Sequence, residues 1–204
     1  MTQPIPTQMR AASSPIHGHT ILLMAAADDQ SLLARAREGD LDAFAELVHR
    51  YEHRVRAVLL RLLEDDRDVE EATQDSFVQA WRNLHRFRGD AAVFTWLYRI
   101  AVNEAFARLR RKRLSTVEID DAQERMPQAS AQEVAESSEL EAFLAERIRA
   151  LEPEYRAALV LRDVIGLSNQ EVADVLELSL PAAKSRIHRA RMRIRADLVR
   201  WERG

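Results

Sequence analysis

Between Asp40 and Leu63, Phe44, Leu47, Val48, Tyr51, Val55, Val58, Leu59 and Leu62 recur at three- and four-residue intervals. That spacing lines one side of an α-helix, and a helix with such a stripe must bury it against other elements. The pattern returns in Val69, Ala72, Ser76, Phe77, Ala80, Trp81 and Leu84, and again in Val93, Trp96, Leu97, Ile100 and Ala101. Polar caps fall where such helices would begin. Asp28 or Asp29 opens a short helix ending at Gly39, Asp40 opens the next, which runs to about Leu63, and Asp65-Asp66 makes a turn. Arg88-Gly-Asp90 reads as a turn with Asp90 as the cap of a fourth helix. These helices predict a compact bundle over residues 28–113. Five Gly, six Pro and 31% charged residues across 204 positions agree with an all-α chain.

The flanks read differently. Residues 1–27 are poor in charge and rich in Pro, Ser, Thr and Gln, the composition of a disordered tail. Its Ile21-Leu-Leu-Met24 run is too short, and wrongly flanked, for a secretory signal. Translation could also start at Met24. Residues 114–138 contain Pro127, several Ser and Gln and many acids without a sustained period, which reads as a flexible, acidic linker. Beyond it, 139–204 predicts a second helical domain. Leu140, Phe143, Leu144 and Ile148 face inward on one helix, and Tyr155, Leu159 and Val164 on the next, with Pro153 in its first turn. Ser168-Asn-Gln-Glu171 fits a capping box for a short helix carrying Val172, Ala173 and Leu176. Glu177-Leu178 is a tight turn, and Ser179 caps a last helix with Ala183, Ile187, Ala190, Ile194 and Leu198 inward.

Net charge is only −3, so overall basicity argues for no partner, but its distribution does. Residues 28–75 hold 14 acids and 7 bases, and 76–113 hold 2 acids and 9 bases. The linker side, 114–149, has 9 acids and 3 bases, and 150–204 has 8 acids and 10 bases. One face suited to a polyanion and another suited to a protein would give this segregation. There are no cysteines, which excludes disulfides, thiol catalysis and cysteine-ligated zinc. No phosphate-cradling glycine loop or nucleophile constellation is visible, so an enzyme is disfavoured, and no cofactor is expected. His49 and His53 lie four apart but lack an obvious third ligand, so two solvated histidines are expected and no metal.

Two stretches carry chemistry. Thr95, Arg99 and Asn103 share a face off the apolar stripe, and the helix ends in Arg108-Leu-Arg-Arg-Lys-Arg113. Cations at a helix C-terminus complement its dipole in any protein. With Phe87, Phe94, Trp96 and Tyr98 beside them, they also suit single-stranded nucleic acid, whose unstacked bases need flat partners. The two short helices around Glu177, the second with six bases and no acid from Lys184 to Arg195, follow the helix-turn-helix pattern. Lys184, Ser185, His188, Arg189 and Arg191 fall on its outer side, where Arg can pair with guanine and the others hold phosphates.

Phe87-Arg-Gly-Asp90 followed by Thr95-Trp-Leu-Tyr-Arg-Ile-Ala-Val-Asn103 resembles region 2 of bacterial sigma factors, in the extracytoplasmic-function (ECF) group of the sigma-70 family. Leu151-Glu-Pro-Glu-Tyr-Arg156, Leu161-Arg-Asp163, Gly166-Leu-Ser168, Glu171-Val-Ala173 and Lys184-Ser-Arg-Ile-His-Arg-Ala-Arg191 resemble region 4 of the same group. The resemblance covers about Asp29 to Leu198. It implies a non-catalytic, cytoplasmic factor that binds core RNA polymerase and directs it to promoters. By similarity, the helix from Asp68 to Trp81 docks on the polymerase β′ clamp helices, with Asp68, Glu71, Gln74, Asp75, Phe77 and Trp81 as its contacts. Asn83, Phe87, Trp96, Arg99 and Asn103 map to positions that open and read the minus-ten element, though Trp96 also falls on the apolar stripe. A base pulled from the stack would sit on the loop around Arg86 to Ala92. The residues Lys184, Ser185, His188, Arg189 and Arg191 map to the minus-thirty-five reader. At the start of that helix Pro181-Ala-Ala183 replaces the family's Gly-Thr-Val, which removes a hydroxyl that could hold a phosphate.

The family's reduced form implies two promoter-reading domains on a flexible tether, whose weak sites add through effective concentration. It also implies an anti-sigma protein as partner, and contact with the polymerase β subunit. Two other functions are set against it: a helix-turn-helix regulator acting without polymerase core, which would bind its duplex tightly and alone, and an interaction protein that mimics a sigma factor, which would have eroded basic faces where both are intact in this sequence.

Overall fold

The stripe from Phe44 to Leu62 becomes the buried side of a 22-residue helix. The computed structural model describes residues 28–87, 92–118 and 139–201. A short helix α1 covers 28–37, and Gly39, with φ of 96°, turns the chain into α2 (Leu41–Leu62). The Asp40 carboxylate caps α2 by accepting from the Ala43 amide at 3.0 Å, and Arg35 grips the same carboxylate. Asp29 does not act as a simple cap. It lies inside α1, buried, where its carboxylate accepts from the Tyr51 hydroxyl and from Arg50 at 2.7 Å. Burial and this contact push the Tyr51 phenol upward, so it remains a donor.

Asp65 caps α3 (Asp66–Asn83), and a single 3₁₀ turn, Leu84–Arg86, leads to Phe87. The proposed Asp90 cap falls outside the described residues. Helix α4 (Val93–Glu118) continues past Arg113. It buries Val93, Phe94, Leu97, Tyr98, Ala101, Val102 and Ala105 against α2 and α3. Thr95 is buried too, so it does not share an open face with Arg99 and Asn103. Its place follows from the width of the apolar side of α4, which is broader than the five residues of the sequence stripe.

The second half begins with α5 (Glu139–Arg149), which packs on the end of the chain, with the Phe143 and Trp201 rings stacked at 5.4 Å. No residue of α5 is fully buried: Phe143, Leu144 and Ile148, expected inward, are half-buried, and Leu140, expected with them, is 39% exposed. Helix α6 (Pro153–Leu159) runs into a π-turn, Val160–Val164, closed by the Ile165 amide on the Val160 carbonyl. The extra residue in the turn rotates the chain beyond it, so Val164, expected in the core, points to solvent. Helix α7 (Asn169–Leu176) opens with the capping box: the Ser168 hydroxyl accepts from the Glu171 amide, and the Glu171 carboxylate from the Ser168 amide. After Glu177 comes α8 (Leu180–Trp201), whose Ala183, Ile187 and Ala190 are buried.

The halves are in contact rather than joined through residues 119–138 alone. Helix α4 packs along α7, and the C-terminal part of α2 meets α6 and the π-turn. One apolar cluster runs from Leu33, Leu59 and Val102 in the first half to Leu161, Val172 and Ile187 in the second. Among the described residues no helix is long and apolar enough to cross a membrane.

Candidate nucleic-acid and protein interfaces

Helix α8 is the outer helix of the helix-turn-helix. Its register follows from Ser179, whose hydroxyl accepts from the Ala182 amide, and from the small buried residues that seat it on α6 and α7. Lys184, Ser185, His188 and Arg189 are all exposed, and they fall on adjacent turns of one face. Among the described residues Lys184 and Arg189 have no ion-pair partner, and both are open to a polyanion. Three other α8 cations are engaged by acids of the second half. Arg191 makes two hydrogen bonds to Asp163, which hold its guanidinium firmly in the charged form. Arg186 pairs with Glu154 at 3.4 Å, while Arg193 pairs with Glu152 and lies 4.5 Å over the Tyr155 ring. Thus Arg191 is exposed but already engaged, a fixture of the reading helix as much as part of its open face.

In the first half the candidate minus-ten residues are spread out. Asn83 is half-buried and donates to the Gln79 carbonyl at 2.9 Å. The Phe87 ring is buried and lies 5.0 Å from that of Trp96, which is half-buried, so the pair closes one edge of the bundle. Asn103 is exposed. Arg99 faces the second half, donating through Nε and Nη2 to the Asp174 carbonyl at 3.1 and 2.6 Å. Its Nη1 is 3.5 Å from the Glu177 carboxylate. Most of the loop proposed to receive a flipped base falls outside the described residues.

On α3, Glu71, Gln74 and Asp75 are exposed and Asp68 is half-exposed. Phe77 is 8% exposed and belongs to the bundle core, and Trp81 is half-buried against Phe44 at 5.0 Å. A single cation organises the acids. Arg108 on α4 reaches Asp68 at 3.6 Å, Glu71 at 3.2 Å and Asp75, and also Glu104 at 3.0 Å. Burial opposes its charge, but hydrogen bonds to Glu71 and Asp75 and the field of Glu104 more than restore it. The carboxyl of Glu71 lies below its ordinary range, through Arg67 first and Arg108 second. Gln79 adds a 2.9 Å hydrogen bond to Glu104, which is 8% exposed.

By sequence, Arg108 is only one member of a basic run. The Glu104–Arg108 spacing of four is the available signal for its role. His49 is exposed on α2, as is His53.

A helical bundle with a basic outer edge, carrying a helix-turn-helix with an open cationic face, is the build of a two-part DNA-reading transcription protein. Comparison with known proteins narrows this. The Sigma-70 region 2 model matches residues 47–114, and the Sigma-70, region 4 model matches residues 144–194. Among its relatives, the RNA polymerase sigma-H factor of Pseudomonas aeruginosa is 36% identical over 173 residues, covering 80% of this chain and 90% of that protein. The ECF RNA polymerase sigma-E factors of Salmonella typhimurium and Escherichia coli K12 are 38% and 37% identical over the same coverage.

Among solved structures, CnrH in complex with the cytosolic domain of CnrY aligns with a TM-score of 0.62 at 29% identity, over 84% of this chain and 97% of that one. The sigma factor RpoE in complex with the anti-sigma factor NepR from Bartonella quintana aligns at 0.66 and 21% identity, over 76% and 96%, and supports the fold. The chain belongs to the ECF group of the sigma-70 family of RNA polymerase sigma factors. Members of that family are not enzymes.

Proposed function

We propose that this chain binds core RNA polymerase and carries it to a promoter with two separated contacts, acting in the cytoplasm without chemistry of its own. In this reading Lys184, Ser185, His188 and Arg189 read the minus-thirty-five element from the major groove, with Arg191 steadying the helix. Arg99 and Asn103 take the minus-ten strand, supported by Asn83 and by the Phe87–Trp96 pair. The face of α3 around Asp68, Glu71, Gln74, Asp75 and Trp81 docks on the β′ clamp helices. The open cationic face of α8 carries the proposal most directly. Polar and basic side chains stand out on the second helix of the motif, while neighbouring cations are held by acids of the same domain.

An anti-sigma protein is the expected regulator. Support comes from CnrH, a relative in fold and sequence whose structure contains CnrY.

The test is run-off transcription with core polymerase over a promoter library. Addition of the protein should give promoter-specific transcripts. Arg189→Glu should abolish them, or reduce them by more than about tenfold, because a lost base contact of about 1–3 kcal/mol is compounded by repulsion from phosphate. Co-purification with the polymerase should be unchanged. Tight, selective binding of the isolated protein to its duplex would point instead to a regulator independent of polymerase.

A further inference from the structure

The 3₁₀ turn after α3 is gripped by a residue far from it in the chain. Leu84 opens the turn, and its carbonyl accepts from the Phe87 amide at 3.3 Å. A carbonyl oxygen has room for two donors. The second is Arg37, the last residue of α1, whose Nε reaches it at 3.2 Å across 47 positions of sequence. The turn lies between Asn83 and Phe87, so Arg37 braces the backbone that carries both. Arg37 also lies ahead of the region 2 match, which begins at residue 47.

A single hydrogen bond leaves most of an arginine unused. Arg37 is exposed, and among the described residues its Nη1 and Nη2 have no acceptor. The acids nearest in sequence do not take them. Asp40 is occupied by Arg35, at 2.9 and 2.7 Å, and by the Ala43 amide, and Glu38 makes no ion pair with Arg37. On the turn itself His85 and Arg86 are exposed, and neither has an ion-pair partner among the described residues. This edge of the bundle therefore carries positive charge that its own acids leave open. With Nε pinned to Leu84, the remaining fork is already oriented, so less side-chain freedom is lost when it takes an anion.

We propose that Arg37 is a phosphate ligand for the minus-ten strand: Nε braces the Leu84 turn while Nη1 and Nη2 grip one backbone phosphate, with Arg86 on the same turn adding to the field. This rests on the minus-ten role proposed for Asn83 and Phe87. A phosphate contact carries no sequence preference. It fixes where the strand lies, so that the base readers meet their bases in register.

The experiment uses holoenzyme assembled from the full chain and core polymerase. The probe is a labelled fork-junction DNA, taken from a promoter that run-off transcription identifies, with its minus-ten non-template strand unpaired. Anisotropy gives the affinity across a potassium chloride series. Two variants divide the roles of Arg37. The amide nitrogen of Gln stands as many bonds from the backbone as Nε of Arg, so Arg37→Gln keeps a donor for Leu84 and loses the charge and the fork. Arg37→Lys keeps the charge and loses that donor.

Arg37→Gln should weaken fork binding about three- to tenfold and lower the slope of log affinity against log salt by about 0.7, the value for one single-strand phosphate. The loss should be equal on the native and on a base-substituted minus-ten strand. The melting temperature of the free chain and co-purification with polymerase should stay at parent values. Arg37→Lys should keep the parent slope. Replacing strand phosphates one at a time by neutral methylphosphonate should find one position where the parent falls to the affinity of Arg37→Gln and the variant loses nothing further.

Weaker binding by Arg37→Gln at an unchanged slope would make Arg37 a brace of the turn alone and overturn the proposal. A variant equal to a fork-selective parent in affinity and slope would overturn it too, with the minus-ten reading left standing. A parent holoenzyme that does not prefer the fork to one with a scrambled minus-ten strand would remove that reading, and the phosphate contact with it.

Discussion

Arg108 sits where the acids of α3 converge, and its removal sets a measurable expectation. Asp68, Glu71 and Asp75 lie about one helical turn apart, close enough to repel one another, and Glu104 is nearly buried beside them. Arg108→Ala should therefore lower stability by about 1–3 kcal/mol in urea unfolding, chiefly through Glu104, which loses its nearest cation. The effect should also have a pH signature. The Glu71 carboxyl is depressed in the folded protein, by Arg67 and then Arg108, from an ordinary value of 4.5. A depressed carboxyl stabilises fully above its unfolded value, and the contribution disappears as pH falls through the folded one. Parent stability should thus drop below about pH 4.5, and the drop should be shallower in an Arg67→Ala, Arg108→Ala double variant. A stability–pH series by circular dichroism, with both proteins falling in parallel, would show that these arginines do not set the Glu71 titration.

At the scale of the helix, much was legible because local rules carry it. The three- and four-residue period of Phe44 to Leu62 named the buried side of α2, and Ser168 with Glu171 marked the start of α7 by a mechanism that needs only four residues. That cap is testable by itself. Ser168→Ala should cost about 1 kcal/mol in urea unfolding, with Ser168→Gly milder, since both change the cap and neither touches the core. What the sequence hid depends on geometry that spacing does not encode. One extra residue in the π-turn at Val160–Val164 sends Val164 outward, although its spacings of four from Val160 and three from Leu161, both buried, suit an inward position. Likewise, a basic run looks the same whether its arginines meet solvent or acids. Arg108 is gathered by α3, whereas Lys184 and Arg189 are open. The exposed residues on α8 were readable because Ala183, Ile187 and Ala190 fix which side is in. The facing of Arg99 was not, because Asp174 is 75 residues away in the chain.

Over the whole molecule, contact between the halves has a thermodynamic consequence. Two domains on a tether unfold independently, each by its own stability, whereas two that share an apolar cluster unfold together while that contact outweighs their difference in stability. Here the cluster is continuous from α2 and α4 into α7 and α8, and beside it Arg156 of α6, 5% exposed, donates through Nη1 to the carbonyl of Leu62, the last residue of α2, at 3.0 Å. The tryptophans separate the halves cleanly: Trp81 and Trp96 lie in the first and Trp201 in the second. With Trp201→Phe, fluorescence reports the first half while far-ultraviolet circular dichroism reports both. In that background the two signals should coincide across a urea titration. Adding Arg156→Met should separate them, because the contact weakens while each half retains its own core, and the region around α6 to α8 should melt at lower urea. Coincident curves in the Arg156→Met variant would mean that the shared apolar surface couples the halves without the Arg156 bond, which would then tune the geometry of the contact rather than its stability.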